Sequence, residues 1–373
     1  MKRIRIIQPT DWSFEPMNQY NATGGDAFSV SRFGYELFGE YGIDVDYCVP
    51  DYSKPLAKIL RRILKLEGCN LILQAQLIKR SKDYDVIYYS ADRHPYLLAL
   101  ARKLRICKKP IVMVCHFSYD TRAVDSKIKK MILRLERSLV FSSMDQVVFN
   151  CENLMWLAIE DGNIPEKHQV NSGWGADIDY FERGKFGVHQ DIKPYYFAAG
   201  GANRDYHTII EAFRKLPYTL VLSCSQDVIE KESPLPDNIL HFNYAKYGIE
   251  ASEKLREYYH DAKAVLIPVM YRNHVANGAS VLVEALACGK PILVSDLKTN
   301  FLDVEQEKIG YKVPMHDVNG WRMAVERLEY LDDKQLLEMQ NASKKIAIDR
   351  YNYRHFTEVV VSYIRKLKKE EGK

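Results

Sequence analysis

Residues 273–296 read NHVANGASVLVEALACGKPILVSD. Just ahead lies AVLI (264–267), and the stretch itself ends through ILV (292–294). Brief apolar runs bounded by polar residues or proline read as buried strands, and the apolar spacing over 279–288 reads as a helix. Strand, irregular loop (268–278), helix and strand form one β-α-β unit, the building block of a parallel sheet. Within that helix Glu284 sits among Val281, Leu282 and Leu286. A carboxylate on an apolar helix needs partners, because burying it alone is costly. Sugar or ribose hydroxyls would serve, as would a neighbouring backbone group or Lys290.

The same alternation extends outward from this unit. Strands are expected at 195–199, 219–223 and 239–242, with helices at 206–215, 251–260 and 318–330. An earlier series has strands at 4–7, 44–48, 86–89, 111–115 and 147–149, and helices around 27–40, 54–66, 94–104, 126–140 and 152–160. Between the two series runs FERGKFGVHQDIKP (181–194), polar, glycine-containing and closed by proline, which reads as a linker. A chain of 373 residues also exceeds what one core usually supports. The expected fold class is α/β, with two Rossmann-like doubly wound domains facing across a cleft. The expected divisions are 1–180, a linker at 181–193, a second domain at 194–348 and a helical tail at 349–373.

Composition narrows the function. With 47% hydrophobic and 27% charged residues the chain is an ordinary globular one, and its net charge of +4 gives no general reason to expect nucleic acid as a partner. Seven cysteines, an odd number with no CxxC pair, read as reduced packing thiols. The N-terminus MKRIRIIQPTDW has no apolar core of signal-peptide length, and no run reaches the ~18–20 apolar residues of a membrane span. A cytoplasmic protein is expected, with attachment to the inner face of a membrane left open.

Ligands of open α/β sheets bind beyond the carboxyl ends of the strands, so four places carry the candidate chemistry. In ATGGDAFSVSRFGYEL (22–37), Gly24 and Gly25 allow a tight turn and a close backbone approach. In IVMVCHFSYD (111–120), His116 ends an apolar strand and can exchange a hydrogen bond or a proton with a substrate hydroxyl. In YYFAAGGANRDYHTIIEAF (195–213), Gly200, Gly201 and Arg204 precede a helix, an arrangement suited to phosphate. The alternative there is that Asp205 caps the helix and Arg204 is solvated. In the opening stretch, Asn277, Gly278, Ala279, Ser280 and Val281 bring free amides to a helix N-terminus, with Glu284 one turn further in.

Taken together these motifs resemble the retaining GT-B glycosyltransferases that use nucleotide-sugar donors (group 1, or family 4, type). The likeness includes the early Gly-Gly turn, His116, NSGWGADIDYF (171–181), GGANRDYHTIIEAF (200–213) and HDAKAVLIPVM (260–270). Its most specific part is VLVEALACGKPILVSD (281–296), and it closes on DRYNYRHF (349–356). The resemblance implies that Glu284 holds donor ribose hydroxyls, that Gly25, Gly201 and Arg204 hold the diphosphate, and that the 278–281 amides hold sugar or phosphate. It also implies that His116 contacts the transferred sugar or reaction centre, that no metal or other cofactor is needed, and that the last helix crosses back onto the first domain. Ala276 stands where the family's first glutamate would fall, with Asn277 beside it, so the donor sugar and the retention of configuration are not implied with the rest.

Twenty Lys and Arg against seven Asp and Glu fall in 53–137. In SKPLAKILRRILKLEG (53–68) and DSKIKKMILRLERSL (125–139), apolar residues form one helical stripe beside many cations. Such stripes either face a core or lie on an anionic membrane, where a lipid-linked saccharide acceptor would be met. The expected reaction is transfer of a sugar from a nucleotide diphosphate sugar, UDP-sugar being the first to consider, to a hydroxyl of a glycan or lipid-linked acceptor in cell-surface polysaccharide biosynthesis. A nucleotide-sugar epimerase, or an inactive transferase-like binding protein, are the alternatives.

Overall fold

Strands dense in β-branched and aromatic residues build two sheets, described here from a computed structural model of residues 3–10, 13–28, 34–53, 70–90, 94–115, 126–160, 169–189, 191–192, 194–201, 203–270, 278–297 and 302–371. The first sheet contains β1 (Ile4–Pro9), β2 (Ile43–Cys48), β3 (Val86–Tyr89), β4 (Ile111–Cys115), β5 (Gln146–Phe149) and β6 (Gln169–Asn171). Its order is β2-β1-β3-β4-β5-β6, and every pairing is parallel. The second contains β7 (Tyr195–Ala199), β8 (Thr219–Ser223), β9 (Ile239–His241), β10 (Ala264–Ile267), β11 (Ile292–Ser295) and β12 (Gly310–Val313). Its order is β12-β11-β10-β7-β8-β9, again all parallel.

Strands β3, β4, β7 and β10 are buried at every position. Helices cover both faces, so these strands read as continuous apolar runs with no alternation. The helices of the first half are α1 (Glu15–Ala22), α2 (Tyr35–Phe38), α3 (Leu71–Arg80), α4 (Tyr96–Lys103), α5 (Lys127–Phe141), α6 (Glu152–Glu160) and α7 (Ile178–Glu182). Those of the second half are α8 (Tyr206–Phe213), α9 (Gln226–Glu232), α10 (Ala251–Asp261), α11 (Ala279–Ala287), α12 (Val318–Glu329), α13 (Asp333–Arg350) and α14 (Tyr353–Glu371). In each sheet the connections run outward in opposite directions from one strand. That leaves a crevice at the carboxyl ends of β1 and β3, and another at those of β7 and β10.

Two crossings join the halves side by side. Ala176 exchanges backbone hydrogen bonds with Tyr351 and Tyr353, at 2.9 and 2.8 Å. A side chain at Gly175 would collide with the Asn352 carbonyl carbon at 2.4 Å, so only glycine admits this approach. Beyond the crossing α14 lies on the first sheet's side of the molecule, against α2, β3 and β4. Ion pairs Arg354–Glu40 and Lys368–Asp85, both 2.7 Å, pin it there.

Several local expectations change. Residues 26–28 belong to no helix or strand, where a helix over 27–40 was expected; α2 is the described helical part, followed by a 3-10 turn over Gly39–Tyr41. The 54–66 stripe lies outside the described residues. The polar 183–189 stretch is docked on α10: Asp261 accepts from the Gly187 and His189 amides at 2.6 and 2.8 Å, and Phe186 packs on the His260 ring.

Candidate functional site

The second sheet's crevice is assembled from two loops that pair with each other. After β7, Arg204 bridges Val269 of the loop after β10 in antiparallel fashion. The Asp205 amide donates to the Pro268 carbonyl at 2.7 Å and the Met270 amide to the Asn203 carbonyl at 2.9 Å. Gly200 has φ +120°, and a β-carbon there would meet the Arg204 guanidinium at 2.6 Å. The guanidinium is therefore folded over the turn, where Arg204 Nε also donates to the Ala199 carbonyl at 3.2 Å. Tyr206 fixes the turn from behind, its hydroxyl donating to the Gly200 carbonyl at 2.6 Å. Gly201 has open space where a side chain would stand.

Asp205 does cap α8, accepting from the Thr208 amide and hydroxyl at 3.2 and 2.7 Å, and it pairs with His316 at 2.6 Å. Arg204 is not a solvated side chain, since burial pulls its pKa below the usual arginine value. A partly desolvated guanidinium remains charged and attracts anions more strongly than an exposed one.

Opposite stands the N-terminus of α11. Gly278 adopts φ +80° and rests on Ile267 and Val269; a β-carbon would meet Ile267 Cγ2 at 2.7 Å. Its N-cap residue is Gly278, and among the described residues no side chain caps this end, so the amides of Ala279, Ser280 and Val281 point at the crevice with the positive end of the helix dipole. The other end explains the ACGKP run. Gly289, at φ +63°, closes the helix with two bonds: its own amide to Leu286 and that of Lys290 to Ala285, both 2.9 Å. This is a Schellman cap, and Pro291 then starts the chain toward β11.

Glu284 is the anomaly of the site. It is half-buried on a helix whose neighbours Val283, Ala285 and Leu286 are fully buried. Burial pushes its carboxyl up to about 7, opposed only by the nearby Tyr259 hydroxyl. The Tyr259 hydroxyl is itself buried and has no other partner among the described residues, so it faces the Glu284 carboxyl. Lys290, the other candidate partner, instead donates to the His260 carbonyl at 2.6 Å. Tyr244 also lies within electrostatic reach of Glu284. Tyr206, Tyr244 and Tyr259 were not expected at the site, and nothing in their local spacing marks them.

The first domain's glycines behave differently. Gly24 and Gly25 follow α1, not a strand, and their amides donate to the Asn21 and Tyr20 carbonyls at 3.3 and 3.1 Å. The next three amides are also taken: Asp26 by Glu253 at 2.9 Å, Ala27 by Asn21 at 2.7 Å, and Phe28 by Ser252 at 3.0 Å. Gly25 is needed because a side chain would enter the Tyr20 ring. This turn is a helix stop docked on α10, with the amides of residues 24–28 bonded within the protein. Asp26 fastens it, taking bonds from Arg183 at 2.8 and 3.0 Å and from Arg256 at 2.7 Å. Burial alone would raise the Asp26 pKa; the two guanidiniums outweigh it and hold the carboxyl below its usual range. His116 and Asn277 lie outside the described residues.

With this geometry in view the comparisons are specific. Residues 190–347 match the family described as glycosyl transferases group 1. The matched residues include Arg204, the α11 N-terminus and Glu284. No curated protein matches the chain. Among solved structures, a glycosyltransferase from Rickettsia africae superposes with a TM-score of 0.69 at 12% identity, covering 98% of this chain and 99% of that one. Sucrose-phosphate synthase from Thermosynechococcus elongatus gives 0.68 at 15% identity, over 98% and 99% of the two chains. Anabaena Alr3699/HepE, solved in complex with UDP-glucose, gives 0.66 at 14% identity, over 98% and 100%. At such identities the likeness is one of fold, and the fold is GT-B.

Proposed function

We propose that this chain is a glycosyltransferase that moves a sugar from a nucleoside diphosphate donor to a hydroxyl acceptor. The observation that carries the reading is Glu284: a desolvated carboxylate met by the Tyr259 hydroxyl, one turn inside a helix N-terminus whose Gly278 rests on Val269, the residue that Arg204 bridges. Two vicinal ribose hydroxyls would complete it. The diphosphate would lie between Arg204, the open Gly201 turn and the amides of 279–281. As the bond from the anomeric carbon to the diphosphate oxygen breaks, negative charge collects where a helix end and a guanidinium already point. Such an arrangement stabilises the leaving group without requiring a metal ion. His116 is proposed to contact the transferred sugar or the reacting centre.

Uridine is the first base to test, because a protein of the same fold holds UDP-glucose. The acceptor is proposed to be a glycan or lipid-linked saccharide of a cell-surface polysaccharide, and the setting cytoplasmic. Among the described residues no helix is long and apolar enough to cross a membrane. A thermal-shift panel of nucleotide sugars tests the donor assignment. At least one should stabilise the wild type, and Glu284→Ala should abolish that shift; if no nucleotide sugar stabilises the wild type, the donor site is misassigned. Donor consumption without any acceptor would instead favour the epimerase reading.

A further inference from the structure

Helix α5 carries Ile128, Met131, Ile132 and Leu135 at i, i+3, i+4 and i+7. A globular domain ordinarily turns such a stripe toward its core. Here it is turned outward, with the four residues 70%, 57%, 48% and 64% exposed. The buried residues of the helix are Val140 and Phe141 in its last turn. So α5 is anchored by its carboxyl end while its apolar face stands in water. Lys127, Lys129 and Arg134 are exposed beside the stripe, and the helix holds five basic residues against one acidic residue, Glu136. A shallow concavity of about 560 Å³ along one flank is lined, among the described residues, by Lys127, Lys130, Met131, Arg134, Leu135 and Ser138. The adjoining α4 and its following turn add exposed Leu100, Leu104 and Ile106.

The chemistry of this face selects its occupant. A second copy would set five cations against five, with the apolar stripes between them. An anionic phospholipid surface supplies an apolar layer for the stripe and negative headgroups for its rims, and lysine and arginine stems are long enough to reach both. We propose that α5 is a docking element by which the first domain lies on an anionic membrane. The interaction is separate from donor binding and stands or falls without it.

Co-sedimentation of the full chain with vesicles of equal parts phosphatidylglycerol and phosphatidylcholine tests the proposal, with pure phosphatidylcholine vesicles as the control. The wild type should pellet with the anionic vesicles only, and less as salt rises. Ile128→Ser/Met131→Ser/Leu135→Ser should stay in the supernatant. Lys127→Gln/Lys129→Gln/Lys130→Gln should bind at least ten-fold more weakly, from roughly five-fold per charge. Both variants should keep the wild-type melting temperature and oligomeric state. Wild type remaining in the supernatant, or the serine variant pelleting as well as wild type, would overturn the proposal. So would a wild-type dimer that the serine variant converts to monomer, which would make the face a contact between copies.

Discussion

Two Gly-Gly turns, TGGD at 23–26 and AGGANRD at 199–205, look alike in the sequence and do different work in the structure. The second follows a buried strand directly, carries a left-handed glycine under a folded-over arginine, and opens on a crevice. The first follows a short helix, spends its amides on that helix, and passes straight to a carboxylate held by two arginines. What precedes the glycines decides the outcome. After the strand, the Gly200 amide goes to the Ser223 carbonyl at 3.2 Å and Gly201 is left beside open space under Arg204, whereas after the helix the amides of 24–28 are all bonded within the protein.

The largest expected effect falls on the docked turn. Arg256 is 7% exposed at its side chain, so Asp26→Ala leaves a buried cation without its carboxylate. The loss should be about 2–4 kcal/mol in denaturant unfolding. A loss within error of zero would mean the turn is not fastened as described. A smaller effect separates the two turns. Gly200→Ala forces a side chain onto a left-handed backbone against Arg204, and should cost about 1–3 kcal/mol and weaken nucleotide-sugar binding. Gly24→Ala is strained at φ +100° but meets nothing within 4 Å, so it should cost some stability and leave donor affinity unchanged. Equal losses of affinity in the two variants would break the distinction.

The sequence shows the central strands of both sheets because burial on two faces leaves an unmistakable apolar run. It does not show β6 (QVN) or β12 (GYKV), edge strands whose outer sides tolerate polar residues. Helix α1, EPMNQYNA, has no buried residue and therefore no apolar stripe to betray it. At the site, Glu284 was visible as a carboxylate out of place. The Asp26–Arg183–Arg256 cluster was not, because its members lie 157 and 230 residues apart. The stripe on α5 was legible as a pattern but silent about direction, since identical spacing serves a core or an external apolar surface.

The measurement that bears most directly on the central claim is donor affinity against pH for wild type and Glu284→Gln, using whichever nucleotide sugar stabilises the protein. Only the ionised carboxyl can accept from both ribose hydroxyls, and in the free protein it ionises at about 7. Affinity should therefore rise as the pH climbs through that value, while the glutamine variant binds more weakly with a flatter profile. The sign for stability is opposite. The folded-state pKa lies above the ordinary 4.5, so folding takes up a proton between the two values. This group's contribution then declines as pH rises through that window, and Glu284→Gln removes the decline. A glutamine variant with wild-type affinity and a wild-type pH profile would contradict the assignment of Glu284 as the donor's hydroxyl-binding carboxylate.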